Sequence, residues 1–172
     1  IGCLCFVVFL AEGAVLDWSA VFLSDERGLD EAYAGLGYAA FALTMTAGRL
    51  TGDAIVRRLG ATKVIIVGGA LAASGIFLAT LSPAWEIALL GYALVGAGCS
   101  NIVPVLYTAV GQQTVMPEYI AVPAITTLGY AGILTGPAAI GFIAHGSSLA
   151  TAFLLIGILL VAVAAGGKIL RV

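Results

Sequence analysis

The chain has 172 residues, 62% of them hydrophobic and 9% charged, with seven basic and nine acidic side chains and a formal net charge of −2. Soluble domains carry roughly 25% charged residues, so these charges cannot coat a water-soluble globule of this size. The low charge also excludes disorder, three cysteines exclude a disulfide scaffold, and the lack of a basic block excludes a nucleic-acid partner.

What remains is an all-α polytopic membrane protein. Barrel strands alternate in polarity over about ten residues, whereas the apolar runs here are continuous. Six runs are predicted as transmembrane helices, at about 2–23, 33–52, 64–81, 86–110, 119–144 and 149–170, forming one bundle over residues 1–172. Lipid is then the solvent, and each helix satisfies its own backbone hydrogen bonds. The opening IGCLCFVVFLAEGAVLDW has no Met and no basic n-region, which argues against a signal peptide and for a chain cut from a longer one. Cys3, Cys5 and Cys99 fall in apolar runs without metal-like spacing and read as small hydrophobes. No cofactor and no metal is expected.

The first run carries Glu12 about ten residues in, roughly 15 Å deep and near the bilayer midplane. An acid there costs at least a few kcal/mol, so it should be protonated or paired. It is either a proton-coupling or substrate-binding acid, or a neutral carboxylic acid hydrogen-bonded between helices. Helix rise puts Arg49 roughly 10 Å nearer the cytoplasm, so no basic partner is expected at this depth. Cys5, Glu12 and Ser19 recur every seven residues on one face. Asp17, roughly 7 Å further along, lines an outward cavity mouth or sits hydrated at a frayed end. The connection SDERGLDE follows.

In the second run Arg49 and Asp53, four apart, are predicted to pair on one face, with snorkelling of the arginine as the alternative. Gly48 and Gly52 have the small-xxx-small spacing that permits close helix contact, repeated at Gly132 and Gly136. DAIVRRLGATK reads as a loop. The third run is plain, with Ser74 and Thr80 its only polar side chains, and SPAW follows.

The fourth run holds Asn101 and Pro104. Proline lacks the amide that would bond the Ser100 carbonyl, so a kinked helix is predicted, suited to a gate or substrate contact or simply to packing. After GQQTVMPE, the fifth run has Pro123, Thr126, Thr127, Tyr130 and GILTGPAAIG, which predicts a bent, closely packed helix with Tyr130 near the midplane. HGSS leads to a plain sixth run containing Thr151.

Lys and Arg favour the cytoplasmic side. Arg57, Arg58 and Lys63 in the second connection, with Lys168 and Arg171, place both chain ends in the cytoplasm. SDERGLDE, SPAW and HGSS then face outward, with Trp18, Phe22 and Trp85 at the outer interface. Only GQQTVMPE, uncharged by any Lys or Arg, departs from the rule. Two polar helices followed by a plain one occur twice, the plan of inverted three-helix repeats in secondary transporters.

GRLTGDAIVRRLGATK resembles the cytoplasmic motif of the major facilitator superfamily, a Gly, an Asp at the helix end, then a Gly-containing basic turn. Gly48, Arg49, Asp53, Arg57, Arg58, Gly60 and Lys63 fit it, with about four extra residues between Asp53 and Gly60. AEGAVLDWSAVFL is similar to the first helix of the C-terminal half in a bacterial branch near the fucose permease type. The resemblance implies twelve helices in two halves. This chain would be the second half, its partners the N-terminal six-helix half, the lipid bilayer of the inner (plasma) membrane and a small-molecule substrate; the coupling ion stays open, with H+ the candidate that Glu12 suggests. It further implies a cavity lined by helices one and four, hence by Glu12 and Asn101, an Asp53 role in locking the cytoplasmic gate, and alternating access about a midplane site.

A six-helix channel or structural membrane protein is the alternative, but an aquaporin-like channel needs two NPA signatures, and Asn101-Ile-Val-Pro104 is not one. An intramembrane serine protease would need Ser100 beside His145, which helix depth separates, so no enzyme is expected. The substrate stays unnamed: a sugar-like solute and drug or metabolite efflux fit equally.

Overall fold

The computed structural model describes residues 1–168, and every regular element in them is helical. The chain builds α1 (Gly2–Val21), α2 (Leu36–Leu50), α3 (Gly52–Leu59), α4 (Ala61–Leu81), α5 (Trp85–Cys99), α6 (Ile102–Gln112), α7 (Glu118–Gly146) and α8 (Leu149–Gly166). Residues 169 and 170 of the last predicted run, and Arg171, lie outside the described residues.

Among the described residues, five stretches are long and apolar enough to cross a membrane: Gly2–Glu26, Ala61–Leu81, Trp85–Gln112, Glu118–Gly146 and Leu149–Gly166. The second predicted run differs. Helix α2 has 15 residues, roughly 22 Å of rise against a ~30 Å hydrocarbon core. It stops at Thr51, whose hydroxyl donates to the carbonyls of Ala47 and Gly48 at 2.9 and 3.3 Å, a back-bonding that bends helices. The predicted loop DAIVRRLGATK is instead mostly helix. Asp53 stands in the first turn of α3 and Arg57 and Arg58 in the last, each complementing the helix dipole. Gly60, at φ 81°, makes the turn into α4 in a backbone region that favours glycine.

The fourth run is continuous in direction but broken at Ser100–Asn101, between α5 and α6, as the Asn101–Pro104 pattern anticipated. Helix α7, in contrast, runs unbroken through Pro123 and Pro137.

Helix α1 packs along α7, α2 along α5, and α4 along both α5 and α8. The α4–α5 contact is backbone to backbone. A Cβ at Gly75 would lie 2.5 Å from the Gly91 carbonyl oxygen, and one at Gly91 2.6 Å from that of Gly75. Such close approach is how helices bind one another in lipid, where apolar burial supplies no driving force. Thr44 adds a hydrogen bond from its hydroxyl to the Ala93 carbonyl at 2.7 Å, joining α2 to α5.

At the end away from α3, the helical turn Phe22–Glu26 prolongs α1. Phe22 is fully buried, packing on Phe153 at 5.1 Å between ring centroids, with the Arg27 guanidinium 4.4 Å above it. Arg27 also donates to the Thr80 carbonyl, satisfying an otherwise orphaned acceptor near the end of α4. Phe22 is therefore a core residue, not the interfacial ring expected from its position. That position fixes depth along the helix, whereas packing fixes which side of it is covered.

Candidate functional site

A cleft of about 770 Å³ opens between α1, α2, α3, α6 and α7, within the ~300–1,000 Å³ typical of small-ligand sites. Four of the sequence-predicted residues line it: Arg49, Asp53, Asn101 and Tyr130. Helix α2 delivers Arg49 from its last turn, α3 delivers Asp53 from its first, Asn101 sits at the break between α5 and α6, and Tyr130 projects from the middle of α7.

Glu12 joins the cleft through Arg49. Its Oε2 lies 3.8 Å from Arg49 Nη2, which corrects the expectation that no base reaches its depth. Helix rise counts Cα positions, but Cα–Cβ bonds tilt toward the helix N-terminus. Helices α1 and α2 are consecutive, adjacent and oppositely directed, so the two side chains lean toward one another across the offset. The Glu12 side chain is 13% exposed and that of Arg49 49%. Glu12 Oε1 is buried with no hydrogen-bond partner among the described residues.

The expected pairing of Arg49 with Asp53 does not form. The break at Thr51 puts them on separate helices, and among the described residues Asp53 takes part in no ion pair. The cleft therefore offers a half-exposed cation and an exposed carboxylate that are not paired with each other.

Asn101 is buried and immobilised. Its Nδ2 donates to the Gly48 carbonyl and to Ser100 Oγ, both at 3.0 Å, and Ser100 Oγ donates to the Ala97 carbonyl at 2.8 Å. A Cβ at Gly48 would collide with Ser100, and one at Gly52 with Asn101, so the small-xxx-small pair seats α2 and α3 on the helix break. Tyr130 stacks on Phe9, centroids 5.9 Å apart and planes 12° from parallel, and leaves much of its ring exposed to the cleft.

Asp17 is exposed and lies outside the cleft, as do Arg57, Arg58 and Gly60 at the far end of α3. Phe9, Tyr107 and Thr108 were not anticipated. Tyr107 donates to Thr126 Oγ1 at 2.9 Å, tying α6 to α7. A signal existed for Thr108, since Asn101, Pro104 and Thr108 follow i, i+3, i+7 spacing and all line the cleft.

Residues 1–171 match the family described as Major Facilitator Superfamily. The chain is 56% identical over 168 residues, 98% of its own length, to an uncharacterised MFS-type transporter of Yersinia pestis, covering 44% of that protein. It is 33% identical to the membrane protein MosC of Rhizobium meliloti, over 90% of this chain and 38% of MosC. An uncharacterised transporter of Sinorhizobium fredii is 31% identical over 99% of this chain and 45% of its own length. The chain thus spans less than half the length of these curated relatives.

Proposed function

The chain belongs to the major facilitator superfamily, and on that premise we propose that it is the C-terminal half of a secondary transporter, moving a small polar solute by alternating access with a proton as coupling ion. In this reading it is a transporter and not an enzyme, channel or scaffold. It crosses the inner membrane six times with both ends cytoplasmic, α2 and α3 together supplying the second crossing. The pairing of α1 with α7 and of α2 with α5 supports two inverted three-helix repeats, because that symmetry exchanges the first helix with the fourth and the second with the fifth. The chain covers only 44% of the Yersinia pestis relative and 38% of MosC, which supports a partner half across the cleft, while exposed apolar side chains on α2 and α7, among them Leu43, Leu50 and Leu134, suit lipid or that half.

The observation that carries the mechanism is Arg49, which both lines the cleft and pairs with Glu12. With Glu12 charged, the guanidinium is held by the pair. When Glu12 takes up a proton, Arg49 is released to a polar or anionic group of the solute, with Asn101 and Tyr130 beside it. Release of the proton restores the pair and ejects the solute group, which couples the two movements. The sugar-like solute suggested by the fucose-permease likeness of AEGAVLDWSAVFL fits a cleft presenting hydroxyls, an amide and an aromatic face.

The test is uptake into proteoliposomes by the full-length protein. Saturable accumulation that follows an imposed pH gradient is the expected result. Non-saturable flux would instead indicate a channel, and saturable uptake indifferent to pH would remove the proton from the scheme.

A further inference from the structure

A second groove, of about 480 Å³, runs between α2, α3, α4 and α5 on the other side of the Asn101 break. Its chemistry is opposite to that of the cleft. The polar side chains along it are already satisfied within the protein: Thr44 donates to the Ala93 carbonyl, Thr51 to Ala47, Ser100 to Ala97, and Asn101 to Gly48. A polar solute would find no free side-chain donor there, whereas a hydrocarbon chain would lose nothing. The walls are aliphatic, with Ile55 and Leu59 on α3 facing Val67 and Leu71 on α4, and Leu59 and Val67 remain exposed.

Beyond the groove's lining each wall continues along its helix to a cation near the α3–α4 turn. Lys63, Val67 and Leu71 are spaced by four on α4, so Lys63 caps the aliphatic stripe. Arg58 stands three residues beyond Ile55 and next to Leu59 on α3. Both cations are exposed, and among the described residues neither meets a carboxylate at ion-pair distance. From Leu71 to Lys63 is roughly 12 Å of helix rise, so the charges sit at one end of an apolar slot.

We propose that this groove binds an anionic glycerophospholipid, its acyl chain between α3 and α4 and its phosphate between Arg58 and Lys63. The charge complementarity selects the occupant, because two exposed cations beyond one end of an apolar slot that has no free side-chain donor match a molecule that is anionic at one end and hydrocarbon along the rest. A lipid seated there would hold α3 against α4, and so hold Asp53 and Gly52 at the cleft.

Native mass spectrometry of the delipidated full-length protein, titrated in turn with phosphatidylglycerol, phosphatidylcholine and water-soluble glycerol phosphate, tests the assignment. The expected result is retention of phosphatidylglycerol roughly tenfold more tightly than phosphatidylcholine, with no binding of glycerol phosphate. Arg58→Gln with Lys63→Gln, both exposed and so compatible with folding, should abolish that preference while phosphatidylcholine binding is unchanged. Equal binding of the two lipids to the wild type, or an unchanged preference in the double variant, would overturn the proposal. Binding of glycerol phosphate alone would reduce the feature to a plain anion site. A photoreactive side chain at Leu59 supplies the second measurement: it should capture lipid, and capture of a protein segment would assign the groove to another occupant and sink the idea.

Discussion

Arg49 and Glu12 meet at 3.8 Å with unequal burial, so each single substitution has its own consequence. Glu12→Gln keeps the shape and hydrogen-bonding capacity but removes the titration. In the full-length protein it should abolish pH-driven accumulation while substrate exchange persists, measured in proteoliposomes. Unchanged accumulation would leave Glu12 a packing role. Either single neutralisation should cost about 2 kcal/mol, between the ~0–1 of exposed pairs and the 3–5 of breaking buried ones. Glu12→Gln with Arg49→Gln should recover most of that in thermal unfolding, because no charge is then left unpaired. Asn101→Ala removes two donations from one buried amide and should lower stability by about 1–2 kcal/mol. It would also loosen α2 and α3 on the break, and so weaken solute binding.

Among the elements, the helix contacts that matter most are those made through absent side chains. Gly75→Val and Gly91→Val each place atoms where a backbone carbonyl already lies, and that neighbour cannot rotate away. Either should destabilise the bundle by more than about 2 kcal/mol, as overpacking of tight contacts does, read as a lowered unfolding temperature in detergent. Gly35→Ala, with nothing within 4 Å of the added atom, is the control and should change little. A valine at Gly75 that leaves the unfolding temperature intact would mean that α4 and α5 are not held by backbone contact. Helix α3 illustrates a different balance. Eight residues make a marginal isolated helix, yet Asp53 at its start and two arginines at its end complement its dipole, and Ile55 and Val56 pack against the core.

For the whole molecule, the chain spans less than half the length of its curated relatives, and in the proposed transporter the other half completes the cleft. The 172-residue chain reconstituted alone should therefore show no saturable uptake, and saturable uptake by it would overturn the two-half reading. Orientation is tested on the same full-length protein with two exposed positions. A cysteine replacing Glu31 should react with an impermeant thiol reagent in intact cells, and one replacing Arg57 should resist it until the membrane is opened. The reverse pattern would invert the topology and remove the basis for a cytoplasmic gate at Asp53.

The membrane class, the helical content and most helix positions followed from the sequence, because a bilayer demands long apolar runs that satisfy their own backbones, and that demand is written locally. The break at Asn101 was legible in Asn101 and Pro104 together, whereas proline by itself was not decisive, since α7 runs unbroken through Pro123 and Pro137. The position of the basic stretch was legible too, but its form was not: α3 depends on Thr51 bending the chain and on a core for Ile55 and Val56 to meet. Tertiary structure alone decided which polar groups converge. The i, i+4 spacing of Arg49 and Asp53 promised a pair that the Thr51 break dissolved. Depth arithmetic denied Glu12 a partner that side-chain tilt across two antiparallel helices supplied. Residue spacing fixes neighbours along one helix, whereas the cleft is made between helices, where the direction of each side chain and the closeness of each glycine contact settle what touches what.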